Sequence, residues 1–186
     1  MAAFPDRFDF VIQPGWRNSG PQHWQSHWQQ QLGARRVHNQ NWDEPELADW
    51  LAGLENALAG CRRPAIVIAH SLGCITLAHA AERHAGRIAG ALLVAPADVE
   101  RTHVPAEIAG FGPIPRQRLP FPARMIASTN DPFCHPERAR LLGQHWGSPI
   151  HWLEHGGHIN VESGHGAWPE GLALLANFTR TLRSAA

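Results

Sequence analysis

Ser71, Asp131 and His158 are the side chains whose types and order fit one piece of chemistry, acyl transfer through a nucleophilic hydroxyl. A serine hydroxyl is a poor nucleophile near neutral pH. It needs an imidazole to take its proton and a carboxylate to fix the imidazole's tautomer and stabilise the imidazolium. Ser71 lies in Ala65-Ile-Val-Ile-Ala-His-Ser-Leu-Gly-Cys-Ile-Thr-Leu77, a β-branched run, a bend and a helix-compatible run. Such a strand-to-helix elbow holds the hydroxyl at the mouth of a parallel sheet, with the next backbone N–H and the helix N-terminus facing developing negative charge. Gly73 fits the Gly-x-Ser-x-Gly form of the elbow, and Ala69 relaxes it by one methyl group. By itself the pentapeptide equally fits a strand edge followed by an N-capping serine.

Asp131 follows an apolar segment at 123–128, and His158, in Glu154-His-Gly-Gly-His-Ile-Asn160, follows a short one ending at Leu153. The order Ser, Asp, His is that of α/β-hydrolases. With thirteen histidines in the chain, rivals exist. His155 is still tied to the strand end, and His165 reaches the site only if Gly164 and Gly166 fold back. Asp98, after the preceding strand, is the alternative acid. His70 is expected to point away from Ser71 and to pack. An oxyanion hole needs two N–H donors, each worth about 3 kcal/mol in the transition state. Leu72 N–H supplies one, and the loop Pro14-Gly15-Trp16 supplies the other, from Trp16 ahead of Gly15.

Sixteen basic residues, all arginine, balance sixteen acidic ones, so the formal charge is zero. That leaves no basic footprint for nucleic acid or an anionic membrane and favours a small neutral or weakly charged substrate. The absence of lysine and tyrosine excludes Schiff-base chemistry, a Ser-Lys dyad, a P-loop lysine and a tyrosyl nucleophile. Cys61, Cys74 and Cys134 match neither a disulfide framework nor zinc spacing. His23 and His27 are four apart, but Trp24 and Gln25 replace the interior of a zincin motif, and His155 and His158 lack a third ligand. No metal or other cofactor is expected. The start of the chain has no apolar signal region and no run approaches a membrane span, so the chain reads as cytoplasmic.

The elements that must position these groups alternate along the chain. Strands are expected at Phe8–Ile12, Arg35–Asn39, 65–70, Ile88–Val94, Ala123–Ser128 and Ile150–Leu153. Helices are expected after Pro21, capped by Ser19 or Gly20; from Leu47 to Leu58; from the elbow to about His84; from Pro136 to Trp146; and from Pro169 through Leu182. Residues 95–122 hold six prolines and little periodicity, and read as an irregular excursion over the active edge. The fold class is therefore α/β, one domain over 1–186. It is a three-layer sandwich with a mostly parallel sheet of about six strands and helices on both faces. Loops after the strand C-termini then share one edge. Most of the eight tryptophans read as core, while Trp16 and Trp42 lie in loops able to line an acyl pocket.

The chain resembles a family of small, lidless α/β-hydrolases that includes bacterial YdeN and the vertebrate retinoblastoma-binding serine hydrolase. The resemblance runs from Val11 to about Leu175. It rests on Pro14-Gly15 with His23-Trp24, Ala69-His-Ser-Leu-Gly73, Leu119-Pro-Phe-Pro122 leading into Ser128-Thr-Asn-Asp-Pro132, Gly157-His-Ile-Asn160, Ser163-Gly164 and Trp168-Pro169. It implies a Ser71, His158, Asp131 triad acting on small esters or amides. Some vertebrate relatives bind protein through Leu-x-Cys-x-Glu; here the segment is Leu72-Gly-Cys-Ile-Thr76, without the glutamate, so that partner does not transfer. The sequence leads to a serine hydrolase of carboxylesterase type. An amidase, thioesterase or lyase with the same machinery, or a protein-binding module on the same scaffold, are the alternatives.

Overall fold

Strict alternation of apolar side chains along the strands builds two cores, one on each face of a single sheet. The computed structural model describes residues 4 and 6–182. Its strands are β1 (Asp9–Gln13), β2 (Arg35–Arg36), β3 (Ala65–His70), β4 (Ile88–Val94), β5 (Ala123–Ser128) and β6 (Ile150–Leu153). They pair in the order β2-β1-β3-β4-β5-β6, every pair parallel. Strand β3 lies inside the sheet with all six residues buried.

Val11, Val67, Ala69, Leu93 and Met125 face one core, shared with Trp50 and Leu54 of α2 (Leu47–Ala59), Ile75 of α3 (Leu72–Ala80) and a later helix. Ile12, Ile66, Ile68, Leu92 and Ile126 face the other, shared with Trp24 and Trp28 of α1 (Trp24–Leu32) and Leu175 and Phe178 near the C-terminus. The remaining helices are a single turn, α4 (Ala106–Ala109), then α5 (Pro136–Trp146) with the first core and α6 (Pro169–Thr181) with the second. This is the expected α/β sandwich with its six strands.

Three boundaries differ from the sequence expectation by more than one residue. The first helix begins at Trp24, with His23 as its cap: the His23 ring nitrogen accepts the Gln25 amide at 3.2 Å. Ser19 serves elsewhere, its hydroxyl donating to Gln25 Oε1 at 2.7 Å. The second strand stops at Arg36: it pairs only with β1, and its last backbone contact with that strand is Val37 N donating to Ile12 O. The elbow helix ends at Ala80 and passes through a turn and a short 3-10 segment, Ala85–Arg87, to β4.

The excursion at 95–122 is irregular apart from α4. Backbone and charge hold it down: Asp98 N donates to Phe133 O at 3.0 Å, and Asp98 and Glu100 both pair with Arg138 of α5. No helix among the described residues is long and apolar enough to cross a membrane.

Candidate active site

The elbow places Ser71 between β3 and α3 with φ 55° and ψ −123°. That backbone is costly for a residue with a Cβ and is maintained by the packing around it. A Cβ on Gly73 would lie 2.5 Å from Pro14 O and 2.6 Å from Gln13 O, so the second glycine of the elbow is sterically required. Ala69 is fully buried and its methyl joins the core.

Around the elbow, three side chains from three loops form one hydrogen-bonded chain. Ser71 Oγ and His158 Nε2 are 2.8 Å apart, and His158 Nδ1 lies 3.0 Å from both carboxylate oxygens of Asp131. With Nδ1–H donating to Asp131, Nε2 carries the lone pair that accepts the Ser71 hydroxyl proton. Asp131 is further fixed by the Phe133 amide, 2.9 Å from Oδ1. Both Asp131 and His158 are buried, which strengthens the interaction between them.

The rivals are placed elsewhere. Asp98 is ion-paired with Arg138 Nε at 3.1 Å and caps the Glu100 amide. His155 is exposed, its amide bound to Thr129 Oγ1, and His165 contacts Ser163 and the edge of Trp168.

The loop after β1 approaches as expected. A Cβ on Gly15 would come within 2.8 Å of Ser71 Cβ, 3.0 Å of His70 O and 3.4 Å of Leu72 N. The Leu72 amide, in the first turn of α3, has no intrahelical acceptor, and among the described residues the Trp16 amide has none either. Trp16 lines the same cleft as Ser71 and His158, a space of about 320 Å³. Trp42 instead packs edge-on against Trp50 in the core, 5.5 Å between centroids, and does not line this cleft. Among the described residues no group of three histidine, cysteine or acidic side chains is placed to hold a metal ion.

Sequence reasoning missed what holds His158. His70, expected only to pack, donates from Nε2 to His158 O at 3.0 Å, and the Trp24 indole donates to Ile159 O at 2.8 Å. Two consecutive carbonyls of the histidine loop are thus anchored by buried donors. Asn130 adds a third tie, its Oδ1 accepting the Gly157 amide at 2.8 Å. The pair His23-Trp24 stands out in the sequence, but nothing local indicates that it reaches a segment more than 130 residues away.

Burial, with the neighbouring His158 and His23 rings, holds His70 well below its usual pKa. Burial, with Arg36, His158 and His165, lowers His23 to about 4. Both are neutral in the folded protein near pH 7, so below pH 6.5 the unfolded chain takes up protons that the fold refuses. Stability is full above pH 6.5 and falls as pH drops toward about 4. Urea midpoints measured between pH 7 and 5, above the carboxylate range, are expected to fall steadily; a flat profile would contradict neutral burial of these rings.

An α/β-hydrolase is the class that this sheet, elbow and hydrogen-bonded chain define. Residues 10–177 match the serine hydrolase family, and the chain belongs to that family. A solved protein from Pectobacterium atrosepticum described as YdeN-like is 34% identical, over 94% of this chain and 91% of its own, with a TM-score of 0.84. The YdeN protein of Bacillus subtilis is 22% identical over 94% of this chain and 100% of its own, TM-score 0.79. Thermogutta terrifontis esterase 2 shares the fold at 16% identity, covering 97% of this chain and 87% of its own, TM-score 0.68. Among curated proteins none matches significantly. The segment Leu72–Thr76 is buried in α3.

Proposed function

We propose that the protein is a carboxylesterase that cleaves small ester substrates through an acyl-enzyme, using Ser71, His158 and Asp131 as a catalytic triad. Ser71 Oγ attacks the ester carbonyl while His158 Nε2 takes its proton. His158 returns that proton to the departing alkoxide, and a water deprotonated by the same nitrogen then attacks the acyl carbon and releases the acid. Asp131 holds the tautomer and stabilises the imidazolium. The Leu72 and Trp16 amides receive the oxyanion, each contributing about 3 kcal/mol to the transition state.

The observation that carries this reading is the unbroken hydrogen-bonded chain from Ser71 through His158 to Asp131. Family membership supports it. So does a fold neighbour, Thermogutta terrifontis esterase 2, which was solved in a form phosphorylated by paraoxon. The substrate is a small molecule, because the cleft is modest and the formal charge is zero. No nucleic-acid partner follows from that charge.

The test is a panel of p-nitrophenyl esters beside matched thioesters and anilides. Ester turnover faster than thioester or anilide turnover, with a mass increase on the Ser71 peptide after fluorophosphonate treatment, is the expected result. A folded protein that neither takes up the fluorophosphonate nor cleaves any of the panel would leave a binding module on a hydrolase scaffold.

A further inference from the structure

We infer that the cleft at Ser71 selects substrates bearing a carboxylate, with Arg101 as the residue that reads it; this rests on the esterase reading above. Arg101 belongs to the 95–122 excursion and lines the cleft. Its guanidinium is held in place from two sides. Nη1 donates to Asp98 O at 2.8 Å, and Cζ lies over the Phe133 ring, 5.5 Å from its centroid. Phe133 in turn meets the His158 ring edge-on at 4.6 Å. The positive charge is therefore one aromatic ring removed from the base that activates Ser71.

The acids nearby are already engaged. Asp98 and Glu100 pair with Arg138, and Glu100 also faces Arg116 at 3.6 Å. Among the described residues no carboxylate lies within ion-pair distance of Arg101. Its remaining N–H groups form a planar fork suited to a bidentate carboxylate.

Other charges at the rim are weaker influences. Arg17 is exposed, lies over Trp16 at 4.4 Å and faces Asp43 at 3.9 Å. Glu162 is exposed, where solvent and salt screen it. The lining that Arg101 and Ser71 share also includes the apolar Leu72, Ala97, Pro105 and Ile108. A short methylene chain lies well there, with an ester at one end and a carboxylate at the other. The carboxylate can belong to the acyl group or to the leaving group.

The experiment compares kcat/KM for mono-p-nitrophenyl glutarate with that for its neutral methyl ester. A second pair, 3-carboxyphenyl butyrate and phenyl butyrate, carries the charge on the leaving group. Wild-type protein is expected to prefer the anionic member of at least one pair by about tenfold at low salt, and the pair that responds identifies the side. Arg101→Gln is expected to bring that ratio near one, Arg101→Glu to invert it, and Glu162→Gln to raise it. Because each result is a ratio within one variant, general loss of activity cancels. Serine-dependent cleavage of the neutral esters with no charge preference, or a preference that survives Arg101→Gln, would overturn the inference while leaving the esterase reading intact. Failure to cleave any of the four esters would overturn both.

Discussion

Replacement of Ser71 by alanine is expected to lower kcat for ester hydrolysis by about 10⁵- to 10⁶-fold and to abolish fluorophosphonate labelling. The size of the loss follows from what the proposed mechanism asks of the hydroxyl. Without Oγ there is no acyl-enzyme, and what survives is the rate supplied by binding and by the amides of Leu72 and Trp16 acting on attack by free water. The fold is expected to persist. The hydroxyl's hydrogen bond is to His158, while the bend itself is held by Ser71 N donating to Val94 O at 3.0 Å and by the close packing of Gly15 and Gly73. Alanine carries the same Cβ into the φ 55° conformation, so the backbone cost is unchanged. Circular dichroism and the thermal midpoint should match the parent protein within a few degrees. Labelling of the Ser71→Ala protein at the original rate would remove Ser71 from the mechanism.

What the sequence disclosed about this molecule followed from local signals. The elbow was legible because a buried strand, a serine and a glycine two residues on must coincide where strand and helix nearly collide, and Gly73 has no room for a methyl. The meeting of Asp131 and His158 with Ser71 was legible because parallel connectivity puts every strand's C-terminal loop at one edge, so the two residues needed only to follow β5 and β6. The contacts that cross between loops were not legible. His70 reads as an apolar-strand residue, and its bond to His158 O depends on where a loop 88 positions away settles. The start of α1 at Trp24 differs from the sequence expectation for a similar reason. Ser19 and Pro21 are ordinary helix-start residues, but the hydroxyl of Ser19 goes to Gln25, whose amide bridges Gln13 O at the end of β1 and Ile68 O within β3. Trp42 is a loop tryptophan that packs, partly buried, against the core rather than lining the cleft, because Trp50 of α2 offers it an aromatic face.

Asp131→Asn and Asp98→Asn together test the assignment of the acid, and the two are expected to differ by orders of magnitude. An asparagine at 131 can present an amide N–H to His158 Nδ1, which then becomes the acceptor. The imidazole proton moves to Nε2, where it faces the Ser71 hydroxyl and cannot accept a proton from it. The imidazolium that forms in the transition state also loses its counter-charge. A fall in kcat of about 10⁴-fold with little change in KM is expected. Asp98 touches neither ring nitrogen; its carboxylate serves Arg138 and the Glu100 amide, so Asp98→Asn is expected to change kcat by less than about tenfold through a loosened excursion. Combining Asp131→Asn with Ser71→Ala should cost almost nothing beyond Ser71→Ala alone, because the carboxylate acts only through the histidine that serves the hydroxyl. A 10⁴-fold loss in Asp98→Asn, with Asp131→Asn near wild type, would move the acid to the loop after β4 and would require His158 to turn away from the partner it now holds at 3.0 Å.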